Sequence, residues 1–139
     1  MKVSDVMTPN PRTVQLTDSL QVVARIMRDE DTGAVPVVED GSHVVGMITD
    51  RDIVIRAVAV GSYDRPVSEI ATRDLVFVAP GDSVRDVEKL MSERQIRRIA
   101  VVDNGRLVGI VSLGDIAVKE GKDARTGDTL ENISEGVKH

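Results

Sequence analysis

The chain has no cysteine and no tryptophan, one tyrosine, one phenylalanine and two histidines, His43 and His139. Without cysteine there is no disulfide, thiolate nucleophile, iron–sulfur cluster or cysteine-ligated zinc. With so few histidines, neither a His-based metal site nor a catalytic triad is expected. Aromatic residues at 1% leave almost nothing on which a single strand could stack its bases. The 18 Lys and Arg are scattered, against 23 Asp and Glu, so nucleic acid is not an expected partner. No apolar run approaches membrane-spanning length, and Met1 to Asp5 show no apolar signal region. The expected setting is cytoplasmic, with no membrane partner.

What remains is a core of valine, isoleucine, leucine, methionine and alanine, with hydrophobic residues at 41%. The abundance of valine favours strands. At 139 residues the chain suits one compact domain or two small halves that share a core.

The chain is written twice. Aligned with itself, Val3-Ser4 falls on Val67-Ser68, Thr8 on Thr72, Asp18-Ser19 on Asp82-Ser83, Met27 on Met91 and Val37-Val38 on Val101-Val102. After one extra residue in the first copy, Gly46, Asp52 and Ile53 fall on Gly109, Asp115 and Ile116. Each copy opens with a short acidic segment and a brief β-type run, Arg12 to Leu16 and Leu75 to Ala79. Thr17-Asp18-Ser19 and Gly81-Asp82-Ser83 then cap a helix. Leu20, Val23 and Met27, like Val84, Val87 and Met91, give each helix one apolar stripe. Two apolar runs follow around Asp40-Gly41 and Asn104-Gly105, which are strong hairpin signals. A last helix closes each copy, from Asp50 to Val60 and from Gly114 to about Lys119.

These signals predict an α/β (α+β) protein of two β-α-β-β-α repeats, residues 2–60 and 67–120, joined by a linker at 61–66. About 60 residues bury a core only marginally, so the copies are expected to pack together. A polar tail at 121–139 follows, in which 128–135 fits one or two helical turns with Leu130 and Ile133 on one side.

The stretch around which both copies are organised is Gly46 to Ile53, echoed by Gly109 to Ile116. A β-branched run ends on a hydroxyl residue, Thr49 or Ser112, and an aspartate follows three positions later, Asp52 or Asp115. Such a strand-to-helix junction presents free N–H groups and the positive end of a dipole, which favour an anion such as phosphate. An aspartate one step into the helix is better suited to accept two hydrogen bonds from a ribose diol. The same spacing is also that of a capping box, which completes a helix start with no ligand.

The order of elements, the doubled Gly-x-x-[Thr/Ser]-x-x-Asp, the Val35 to Val38 run Val-Pro-Val-Val and the opening Val-Ser-Asp-Val-Met together resemble a pair of CBS domains, or Bateman module, across roughly residues 2 to 120. The resemblance implies pseudo-twofold packing, with two clefts between the copies that bind adenosine-containing ligands: AMP, ADP or ATP, less often S-adenosylmethionine or NAD. No cofactor is required in this reading, and the residues offer no expected metal site.

Carried onto this chain, Asp52 would hold the ribose hydroxyls and Thr49 the phosphate, with Met7 and the backbone of Gly33-Ala34 flanking the adenine. Arg97-Arg98 would reach the phosphate, or else complement a helix C-terminus, and Arg51 could add a second charge. The second cleft keeps Ser112 and Asp115. There Leu113-Gly114 replace Asp50-Arg51, and Gly33-Ala34 stand where Arg97-Arg98 would supply charge. The Asp52 cleft is therefore expected to be the tighter one for phosphorylated ligands.

The resemblance further implies a stand-alone regulatory sensor, a homodimer and an unidentified effector protein. Two other classes compete with it: an interaction protein whose clefts stay empty, and an enzyme. No nucleophile–base pair or carboxylate cluster supports the enzyme.

Overall fold

In the computed structural model, residues 1–120 are described, and the expected short helix at 128–135 lies outside them. The backbone divides into two compact units. One unites Met1–Asn10 with the described residues from Val76 to Glu120, and the other is Pro11–Leu75. Each unit therefore takes its leading segment from the other sequence copy.

The Pro11–Leu75 unit contains helix α2 (Leu20–Glu30), the antiparallel strands β2 (Ala34–Glu39) and β3 (His43–Thr49), helix α3 (Asp50–Ile53) and helix α4 (Val67–Ile70). Ser19 caps α2 by accepting from the Val22 N–H at 3.3 Å, and Asp31, at φ +51°, ends it in the left-handed conformation. The expected strand Arg12 to Leu16 forms only a single parallel bridge, Val14 with Val37. The carbonyls at its end and just beyond serve another segment: Leu16 and Asp18 accept from the N–H groups of Ser68 and Val67.

The last helix of this copy also departs from expectation, because α3 widens into a π-helical turn over Val54–Val58. That turn buries Ala57 and leaves Val54, Ile55 and Val58 exposed. The core joins Val14, Val23, Val35, Val37 and Ile48 with Val67 and Ile70 from α4. Along α2 it is Ile26 that is buried, whereas Met27 packs only partly.

The other unit contains helix α1 (Val3–Val6), strand β1 (Thr8–Pro9), strand β4 (Phe77–Val78), helix α5 (Val84–Arg94), strands β5 (Arg98–Asp103) and β6 (Arg106–Ser112), and helix α6 (Leu113–Glu120). Strand β4 runs parallel to β5, β5 antiparallel to β6, and β1 antiparallel to β6. The Asn104-Gly105 turn has positive φ at both residues, as a two-residue turn joining right-twisted strands requires. The core gathers Val84, Val87, Met91, Ile99, Val101, Val111 and Ile116 around Val3 and Val6. Full burial of each such side chain contributes about 1.5 to 3 kcal/mol, so both exchanged one-turn helices are tied down by apolar burial.

Among the described residues, no helix is long and apolar enough to cross a membrane.

Candidate functional site

In the Pro11–Leu75 unit, Thr49 ends β3 opposite Ala34, the first residue of β2. The ladder runs one step further, with the Asp50 N–H donating to the Gly33 carbonyl at 2.9 Å. Gly33, Ala34, Thr49 and Asp52 are thereby gathered at one strand-to-helix corner. The Thr49 N–H donates to Asp52 Oδ2 at 3.0 Å, and the Asp52 N–H donates to Thr49 Oγ1 at 3.1 Å. This is a reciprocal capping box, as the spacing allows. Both side chains are half-buried; Asp50 and Arg51 are exposed, and the Arg51 N–H donates to Asp50 Oδ1 at 2.8 Å.

The other unit repeats the corner. Ser112 ends β6 opposite Arg98, the first residue of β5, and the Leu113 N–H donates to the Arg97 carbonyl at 2.8 Å. The Ser112 N–H donates to Asp115 Oδ2 at 3.2 Å, and the Asp115 N–H donates to Ser112 Oγ at 3.0 Å. Arg97 and Arg98 are exposed beside this box. Their place is set by α5, which stops at Gln95 in the left-handed conformation, φ +55°.

In both boxes the accepting carboxylate atom is Oδ2. An ionised carboxylate offers about four lone-pair sites, so capping occupies one and leaves Oδ1 available for a further donor. Capping and diol recognition are therefore chemically compatible at one aspartate.

The ten candidate residues fall into two sets. Gly33, Ala34, Thr49, Arg51 and Asp52 belong to the Pro11–Leu75 unit; Met7, Arg97, Arg98, Ser112 and Asp115 belong to the other. Met7, Arg97 and Arg98, assigned by the resemblance to the Asp52 cleft, thus share a unit with Asp115. The local charge differs accordingly. Asp50, Arg51 and Asp52 place two acids and one base at the first corner, while Arg97, Arg98 and Asp115 place two bases and one acid at the second.

One position was not singled out from the sequence. Thr32 Oγ1 donates to the Ala34 carbonyl at 3.2 Å and holds the entry to β2; its signal is a threonine just ahead of a glycine at a strand start. Gly109, which opens the second copy of the doubled motif, lies under Met7, a contact the spacing did not announce. Among the described residues, no three His, Asp or Glu side chains converge to hold a metal ion.

Two compact α/β units, each turning from strand to helix through a hydroxyl–x–x–aspartate box, define a tandem-repeat class of protein. The chain belongs to the CBS domain family, whose model matches residues 3–58 and 67–119. It is 44% identical over 133 residues to the CBS domain-containing protein YhcV of Bacillus subtilis (strain 168), covering 95% of this chain and 94% of that protein. Among solved structures, it is similar to the CBS domain pair of protein MJ0100 in complex with 5′-methylthioadenosine and S-adenosyl-L-methionine. That match has a TM-score of 0.80 and 30% identity, over 87% of this chain and 100% of that one. It is also similar to CBSX2 in complex with AMP, with a TM-score of 0.75 and 25% identity, over 86% and 95%.

Proposed function

We propose that the protein is a regulatory module that binds an adenine nucleotide, AMP, ADP or ATP, or a related adenosyl ligand such as S-adenosylmethionine or NAD. It acts by changing conformation or assembly, without catalysis. The observation that supports this is the doubled corner: a half-buried aspartate with one carboxylate oxygen spent on the cap, next to a strand start held by a backbone hydrogen bond. The AMP bound by CBSX2 and the adenosyl ligands bound by the MJ0100 pair favour the same ligand class. In this reading Asp52 and Asp115 take ribose hydroxyls, Thr49 and Ser112 lie near the phosphate, Arg97, Arg98 and Arg51 supply charge, and Met7, Gly33 and Ala34 line the adenine. The assembly is a homodimer, and an effector protein reads the change.

Titration calorimetry and a thermal-shift panel of AMP, ADP, ATP, S-adenosylmethionine and NAD test this proposal. A ligand at a hundred times its dissociation constant adds about 2.7 kcal/mol to stability, a shift of several degrees. A second reading, an interaction protein that binds no small molecule, is favoured by the completeness of both capping boxes. Absence of binding or stabilisation by every ligand at millimolar concentration would decide for it.

A further inference from the structure

We propose that the unit carrying α5 docks a basic, apolar-bearing segment of another protein in a groove between β4 and α5. This surface is separate from the nucleotide-binding corners and stands or falls without them. The groove encloses about 380 Å³. Its lining includes the apolar Phe77, Val87 and Leu90 and the charged Asp86, Lys89 and Glu93.

Three observations choose the occupant. The first is apolar: Phe77, the chain's one phenylalanine, is 46% exposed on β4, whose ladder within its unit is with β5. A half-exposed aromatic beside the partly buried Leu90 offers contact area that a partner side chain would remove from water.

The second is charge. Asp86, Leu90 and Glu93 follow one helix face, and neither Asp86 nor Glu93 is ion-paired among the described residues. Asp82, also at the groove, uses Oδ2 to accept from the Ala79 N–H at 2.8 Å. Three carboxylates against the single ammonium of Lys89 select cations.

The third is the contrast with the other copy. There Thr13 and Val22 stand where Phe77 and Asp86 do here, and Asp29, the counterpart of Glu93, is paired with Arg28 at 2.9 Å. The apolar and acidic side chains of the groove are therefore not repeated at the matching positions of the other copy.

A second copy of this chain, at net charge −5, approaches against long-range repulsion. The same sign prevails in residues 121–139, where Lys122, Arg125 and Lys138 are outnumbered by Asp123, Asp128, Glu131 and Glu135.

The full chain is titrated with a fluorescent eight-residue peptide alternating Lys and Leu, and with the same peptide carrying Glu for Lys. The Lys peptide is expected to bind, more weakly as salt rises, and to shift amide resonances within 77–93. The Glu peptide is not. Asp86→Lys with Glu93→Lys weakens binding about tenfold. Phe77→Ser weakens it as well. Glu39→Lys with Asp103→Lys, an equal charge change at two exposed strand-end acids, leaves it unchanged.

An equal loss in that control pair, or amide shifts elsewhere, would reduce the binding to unspecific charge and overturn the proposal. So would a concentration-dependent dimer abolished by Phe77→Ser, which assigns the groove to a second copy. Shifts in 77–93 on removing residues 121–139 would assign it to the chain's own tail and overturn the proposal equally.

Discussion

Met7 lies against Gly109 so closely that a Cβ built on the glycine would stand 2.6 Å from Met7 Sδ and 3.0 Å from the Thr8 carbonyl oxygen. The missing side chain is what lets β1 cross β6 with Thr8 opposite Ile110 and Pro9 opposite Gly109. Gly46 plays the matching part in the other unit, where a Cβ would meet the Thr72 carbonyl at 3.1 Å. Both glycines are needed for close approach, and neither has a positive φ.

Gly109→Ala should therefore destabilise the protein by about 1 to 3 kcal/mol through overpacking. Gly46→Ala should cost less, since only a single carbonyl must give way. Urea unfolding measures both, and hydrogen exchange should locate the first effect at Val3 to Thr8. Unchanged stability in Gly109→Ala would mean that Met7 moves aside freely.

The exchange of leading segments predicts how fragments behave. Residues 11–75 contain the whole of one buried core, whereas 2–60 lacks Val67, Ile70 and Ala71. The first fragment should unfold cooperatively in urea and the second should not. Loss of the two larger side chains alone removes about 3 to 6 kcal/mol of burial. A cooperative transition in 2–60 would show that α4 contributes little.

The aspartate boxes allow capping and ligand roles to be separated. Thr49→Ala and Ser112→Ala should each lose about 0.5 to 2 kcal/mol of stability without ligand. Asp52→Asn retains a side-chain oxygen for the Thr49 N–H but loses the charge, so it should unfold near the unmodified midpoint while its thermal shift with AMP falls. Asp52→Ala should lose both. An undiminished AMP shift in both variants would remove Asp52 from the binding site.

Arg97→Ala and Arg98→Ala probe the phosphate. A charge-assisted contact is worth about 1.5 to 3 kcal/mol, so the variants should bind AMP about ten to a hundred times more weakly. Affinity for 5′-methylthioadenosine, which has no phosphate, should hold. Equal loss of both ligands in calorimetry would indicate damage to the β5 start instead of a lost ionic contact.

Much of each unit was legible along the chain because its determinants are local. Asp40-Gly41 and Asn104-Gly105 marked their turns through the positive φ they tolerate, and Ser19 and Ser83 marked helix starts through the orphan N–H groups they cap. Thr49 with Asp52, and Ser112 with Asp115, needed only a spacing of three residues to announce their boxes. Helical spacing put Met27 in the stripe, and it was the packing of α2 that buried Ile26 instead.

The amino-acid order by itself determined the doubled design, the strand-to-helix corners and the chemistry standing there, since each depends on residues a few positions apart. Only the tertiary structure decided that Val3 and Val6 complete one core and Val67 and Ile70 the other, and that Met7, Arg97 and Arg98 share a unit with Asp115. Apolar burial has no direction and no preferred partner, so a valine suited to either core reveals its place only when the chain has closed around it.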